Sequence, residues 1–114
     1  MIKPTADFST VLRQLNAFFY DGIRLVAYAT NERSAATVRH WFKGEIEPSE
    51  AQKEQLSILH ACIQELLWYD GRKTILAMLI GMNPYLGDQS PLEVLREGNT
   101  LEFIGAVKQF IANG

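Results

Sequence analysis

Apolar residues along this chain recur at steps of three and four, nowhere at sustained steps of two, and the pattern predicts helices from end to end. Phe8, Val11, Leu12, Leu15, Phe18 and Phe19 fall on one stripe of a first helix, with Thr5 or Asp7 to cap it and Asp21-Gly22 to end it. Ile23 to Thr30 makes a short second helix and Asn31-Glu32-Arg33 a turn. Ser34 caps a third helix that runs to Lys43 and closes on Gly44. Ser49 and Gln52 form a capping box at the start of a long helix through about Tyr69. Its apolar stripe is Leu56, Leu59, Cys62, Ile63, Leu66 and Leu67. Asp70 can cap the next helix, roughly Arg72 to Gly81. Ile75, Leu76, Met78, Leu79 and Ile80 make that helix apolar almost all round, so it is expected to be the most buried element.

The punctuation is densest between Met82 and Gly98. Pro84 cannot continue a helix and drives Asn83 toward extended backbone, so the preceding helix ends near Gly81. Gly87 supplies the positive φ that a tight turn needs. Ser90, Pro91 and Glu93 are a cap, a first-turn proline and a capping-box partner, and Gly98 ends the short helix they begin. A last helix starts at Asn99 or Thr100, with Glu102 at the capping-box position if Asn99 is the cap. Leu101, Ile104, Val107, Lys108 and Ile111 mark one face of it. Phe103 and Phe110 lie to the other side. That apolar surface is wider than one stripe needs, which fits either a helix wedged between two others or a patch that awaits a partner.

Asn83-Pro84-Tyr85-Leu86-Gly87, then Ser90-Pro91-Leu92-Glu93-Val94-Leu95 and Gly98, resembles the signature of the Xre/MbcA/ParS-like toxin-binding domain. That domain forms the C-terminal part of antitoxins paired with RES-domain toxins. The likeness covers roughly the second half of the chain and extends into the final amphipathic helix. Asp88 stands where the family has its second loop glycine. Ser34 to Gly44 is similar to the recognition helix of Xre- and Cro-like repressors, within the outline of a helix-turn-helix. In that likeness Val38 and Trp41 point inward, and Ala35, Ala36, Arg39, His40 and Lys43 outward. Asn31 replaces the usual turn glycine, and the turn is one residue longer than the family norm. Alanine offers a base edge no hydrogen bond, so reading would fall to Arg39, His40 and Lys43, with Arg24 and Arg33 on phosphates. A degenerate helix-turn-helix kept as scaffold is the alternative.

The 114 residues are 47% apolar, enough for one core. The organisation expected is a helix-turn-helix-like region over residues 1–48 and a toxin-binding region over 49–114. The net charge of −2 is uneven: residues 1–44 carry +3 and residues 45–114 carry −5. The first half is thus the one suited to a polyanion. No signal segment or membrane span is evident, and Cys62 as the sole cysteine suits a reducing cytoplasm. Metal-ligand spacings, phosphate loops and nucleophile motifs are all missing, so neither catalytic residues, nor a metal, nor a cofactor is expected. His60 reads as an ordinary, partly buried polar residue.

The reading is therefore an all-α, non-enzymatic antitoxin. The resemblance implies that it covers the active site of a RES-domain toxin that consumes NAD, and that it represses its own operon by binding operator DNA. NAD would be the toxin's substrate. A stand-alone helix-turn-helix regulator without a toxin is the alternative. Tyr85, Leu86, Phe103 and Phe110 are the expected toxin contacts. The uncharged stretch Ala112-Asn113-Gly114 favours steric blockage over mimicry of a substrate group. Phe8, Leu12, Leu15 and Phe19 exceed what a small core must cover, and they are expected to form a homodimer interface.

Overall fold

A computed structural model of the chain describes Pro4 and residues 6–113; Thr5 and Gly114 lie outside the described residues. Those residues form seven α-helices and no strand: α1 (Phe8–Phe18), α2 (Gly22–Ala29), α3 (Ala35–Lys43), α4 (Glu50–Leu66), α5 (Arg72–Ile80), α6 (Pro91–Arg96) and α7 (Thr100–Asn113). A 3-10 turn over Pro84–Leu86 interrupts the connection from α5 to α6.

Short polar side chains set most of the helix starts. Asp7 accepts from the Thr10 N–H, Asp21 from Arg24, Ser34 from Thr37, Ser49 from Gln52 and Ser90 from Glu93, each filling an orphan donor of a first turn. At Ser49 the box is complete, since Gln52 returns a bond to the Ser49 N–H. Asp70 does not cap α5; Gly71 takes that position without a side-chain bond. Asp21-Gly22 ends nothing but begins α2, because Phe19 already caps α1. A Cβ on Gly22 would fall 2.8 Å from the Asn16 Cα, so the close passage from α1 into α2 depends on glycine there. Asn31 takes φ 56°, and the Asn31 and Glu32 N–H groups satisfy the last carbonyls of α2 at Tyr28 and Ala27.

One cluster of buried side chains runs through the whole molecule. It joins Val11 and Leu15 of α1, Val26 of α2, Val38 and Trp41 of α3, Leu56 to Leu66 of α4, Leu79 of α5, Leu95 of α6 and Phe103 of α7. The long helix α4 contributes the most buried residues and touches α1, α2 and α7. Leu67 falls past its end and is exposed. Buried Gln55 donates to the Leu95 carbonyl at 2.9 Å and ties α4 to the end of α6. Buried His60 donates from Nε2 to Gln14 Oε1 on α1.

Two expectations about packing are corrected. The helix expected to be most buried, α5, buries only Ile75 and Leu79, because it packs on α6 at one side and leaves Ile80 in solvent. The stripe expected at a dimer interface is already covered within one chain. Leu12, Leu15 and Phe19 are buried against neighbouring helices, and Phe8 is half-buried beneath Lys53, whose Nζ lies 5.8 Å from the ring centre.

Candidate functional site

Asn83 is the hub of the loop between α5 and α6. Extended at φ −127°, as its position before proline requires, it accepts the Tyr85 N–H on its side chain at 2.9 Å. Its own carbonyl accepts from Leu86 and Asp88, and its N–H donates to the Gln89 carbonyl. These four bonds close a ring over residues 83–89. Gly87 and Asp88 turn the chain back with φ of 64° and 68°, so Asp88 adopts a backbone that glycine would hold more easily. Beyond Ser90 and Pro91, α6 lasts less than two turns. Gly98, at φ 89°, ends it with its N–H on Leu95, while the Asn99 N–H reaches Val94. This tight exit folds α7 back along α6.

The result is a groove of about 500 Å³ between α5, the loop and α7. Thr74, Ala77 and Met78 form one wall, Met82 to Tyr85 the end, and Ala106, Gln109, Phe110 and Asn113 the other wall. Among the described residues, no charged side chain lines it. Met82 is 81% exposed and Tyr85 67% exposed, while Phe110 is half-buried with its inner side on the core. Tyr85 and Phe110 thus meet at one groove, whereas Leu86, half-buried, is not among the residues that line it.

Phe103 does not belong to this surface. It is fully buried, because α7 is turned so that Phe103 and Val107 face α4 and α6. Leu101, assigned to the packing face, lies in solvent instead. Met78 and Met82 are the lining residues that sequence reasoning passed over. The signal for Met78 was present in the all-round apolar pattern of α5, which marked an uncovered helix and was taken for a buried one; Met82 lies beyond the end of that helix.

At the other end, α2 and α3 pack on each other across the connection 30–34. Val38 and Trp41 are buried, and Ala35, Ala36, Arg39, His40 and Lys43 are exposed. Arg24 and Arg33 are exposed as well. Arg24 Nε lies 3.6 Å from Asp21 Oδ2, and His40 Nδ1 lies 2.7 Å from Glu45 Oε1. Among the described residues, Arg33, Arg39 and Lys43 have no ion-pair partner. Arg39 and Lys43 sit one turn apart on the same exposed side of α3.

The remaining reactive groups are structural. Burial pushes the Cys62 thiol up to about 12, with Glu65 adding to the effect and Lys108 opposing it, so it stays protonated. Burial pushes the His60 imidazole down from its usual value, which keeps the ring neutral against Gln14. Among the described residues no three His, Cys, Asp or Glu side chains gather to hold a metal ion, and no helix is long and apolar enough to cross a membrane. Comparison of the chain with protein-family models, with curated proteins and with solved structures finds no match.

Proposed function

We propose that this chain is an antitoxin of the RES–Xre kind, which neutralises an NAD-consuming RES-domain toxin by seating part of it in the groove between α5, the 83–89 loop and α7. The observation that carries the reading is that groove. It joins the loop of the signature-like stretch to the final helix, it is mostly apolar, and among the described residues no charged side chain lines it. Tyr85 is fixed from below by the Asn83 ring, so its side chain is presented with little ordering cost on binding. Tyrosine is a common interface anchor, and Met78 and Met82 can repack around a bound segment. An uncharged lining suits an apolar segment of the toxin and a steric block of its cleft.

Exposed Arg33, Arg39 and Lys43 support a second activity of the same chain, binding of operator DNA through α3. A regulator without a toxin would retain that activity and have no use for the groove.

The test is co-purification with the product of the adjacent gene, followed by inhibition of its NAD consumption. The Tyr85→Ala, Phe110→Ala double variant is expected to keep its fold and to lose inhibition by tenfold or more, on the order of 1.4 kcal/mol or above. Inhibition equal to that of the unmodified chain by a folded double variant refutes the groove as the inhibitory surface. Shortening the chain at Thr100 is unsuitable, since it removes Phe103 and Val107 from the core.

A further inference from the structure

A cleft between α1 and the C-terminal end of α3 lies apart from the groove at the other end of the chain. It encloses about 440 Å³ between Leu12, Arg13 and Asn16 of α1 and Trp41, Phe42 and Lys43 of α3. Leu12 and Trp41 are buried and Phe42 is half-buried, so the floor is packed where α1 meets α3. Arg13 and Lys43 are exposed, one on each wall. Among the described residues no acid lines the cleft, and neither cation has an ion-pair partner. The acids nearest this lining in sequence, Asp7 and Glu45, are engaged elsewhere. Asp7 accepts from the Thr10 N–H and the Ser9 hydroxyl at the start of α1, and Glu45 lies 2.7 Å from His40 Nδ1. The last carbonyls of α3 are engaged too, since Gly44 N–H bonds Trp41 and Glu45 N–H bonds His40. That offsets the negative end of the helix beside the cleft.

We infer that this cleft holds a backbone phosphate of duplex DNA, clamped between Arg13 and Lys43 while α3 lies on the operator. The inference rests on the DNA-binding reading of α3 and adds a contact from α1, a helix outside the helix-turn-helix pair. Charge complementarity names the occupant, because two unpaired cations and no acid favour an anion over a neutral or acidic segment. Continuity narrows it to a polyanion. Lys43 belongs both to the cleft and to the exposed side of α3, one turn from Arg39, so Arg39, Lys43 and Arg13 form one basic track. A strand of DNA presents a row of phosphates to such a track, whereas a single small anion engages only its end. The planar guanidinium of Arg13 can take two phosphate oxygens at once, and the packed floor keeps the two walls at a fixed separation. The contact carries no base information. It positions α3 in the groove, and it does so equally on any sequence.

The test is binding of the full chain to the promoter fragment of its own gene and to a scrambled duplex, by fluorescence anisotropy from about 50 to 200 mM salt. Arg13→Gln, a change in solvent, is expected to keep the helical circular dichroism and to make the logarithmic salt slope shallower by about one on both duplexes. Over that salt range its affinity then falls about 3.5-fold less than that of the unmodified chain. Arg13→Lys is expected to retain the slope, and Lys73→Gln, the same loss of charge on exposed α5, to leave it unaltered. Ethylation of one operator phosphate is expected to block the unmodified chain and to make no difference to Arg13→Gln. If Arg39→Ala with Lys43→Ala flattens the slope and Arg13→Gln does not, the clamp is overturned while α3 keeps its DNA. An unmodified chain that binds neither duplex overturns both readings. An equal slope change in Lys73→Gln overturns the clamp as a general charge effect, and a loss confined to the promoter sequence overturns it as base reading. Inorganic phosphate that shifts the Gly44 amide resonance while Arg13→Gln keeps the full slope marks a small-anion site and overturns it as well.

Discussion

Replacing Phe103 separates a core role from a partner-binding role with a single side chain. The ring is fully buried between α7, α4 and α6, so truncation to alanine removes its transfer energy and leaves a cavity. Such changes cost about 3–5 kcal/mol. Unfolding entropy near ~2.1 cal/mol/K per residue gives about 0.24 kcal/mol/K for 114 residues, so a loss of ~4 kcal/mol lowers the melting temperature by about 17 °C. Against a total stability of ~5–15 kcal/mol, Phe103→Ala then leaves much of the chain unfolded on warming, and the proposed toxin inhibition is expected to fall for that reason alone. Phe103→Leu keeps most of the volume and costs about 1 kcal/mol. Thermal melts by circular dichroism, together with inhibition normalised to the folded fraction, distinguish the cases. The expected result is a large melting shift for alanine, a small one for leucine, and normal inhibition per folded molecule for both. A leucine variant that melts normally yet fails to inhibit would refute the reasoning and return Phe103 to the binding surface.

His60 and α3 give two further tests. The folded-state value of His60 lies below its ordinary 6.5, so the unfolded chain takes up the proton first and stability falls as pH drops below 6.5. The expected outcome is a loss in denaturant midpoint through that window which His60→Gln flattens; a parallel loss in both proteins assigns the pH dependence elsewhere. On α3, Arg39→Ala with Lys43→Ala is expected to make the logarithmic salt dependence of operator binding shallower by about one to two charges. Unchanged operator affinity and slope would remove α3 from the DNA interface.

The helix starts were legible in the sequence because capping is local. Asp7, Ser34, Ser49 and Ser90 each need only the residue three positions ahead, and all four do what their spacing implies. Pro84 and Gly87 set the loop in the same local way. Rotation and coverage of the helices were not legible, because they depend on what lies across the gap. The apolar residues of α7 spread round much of its circumference, so the pattern did not say that Phe103 faces inward and Leu101 outward. Asp70 failed as a cap because the turn at 67–70 is closed by backbone bonds to Glu65 and Leu66, and the helix begins one residue later. The first stripe was read as surplus because the helices that cover Leu12, Leu15 and Phe19 arrive from α2 to α4.

The exposed side of α5 is where that illegibility bears on function. Met82, Tyr85 and the outer parts of Met78 and Phe110 leave only a modest apolar surface at the groove for a partner to cover. Association alone costs about 4–15 kcal/mol, so this surface by itself leaves a weak complex. Ordering the loop on binding would weaken it further, which gives the four bonds of Asn83 their weight. They place that ordering cost in folding, where α6 and α7 share it, and leave the groove formed before the partner arrives. A tight complex still needs contacts beyond the groove, and the exposed outer turn of α7 around Ala112 and Asn113 is the adjoining surface that can supply them.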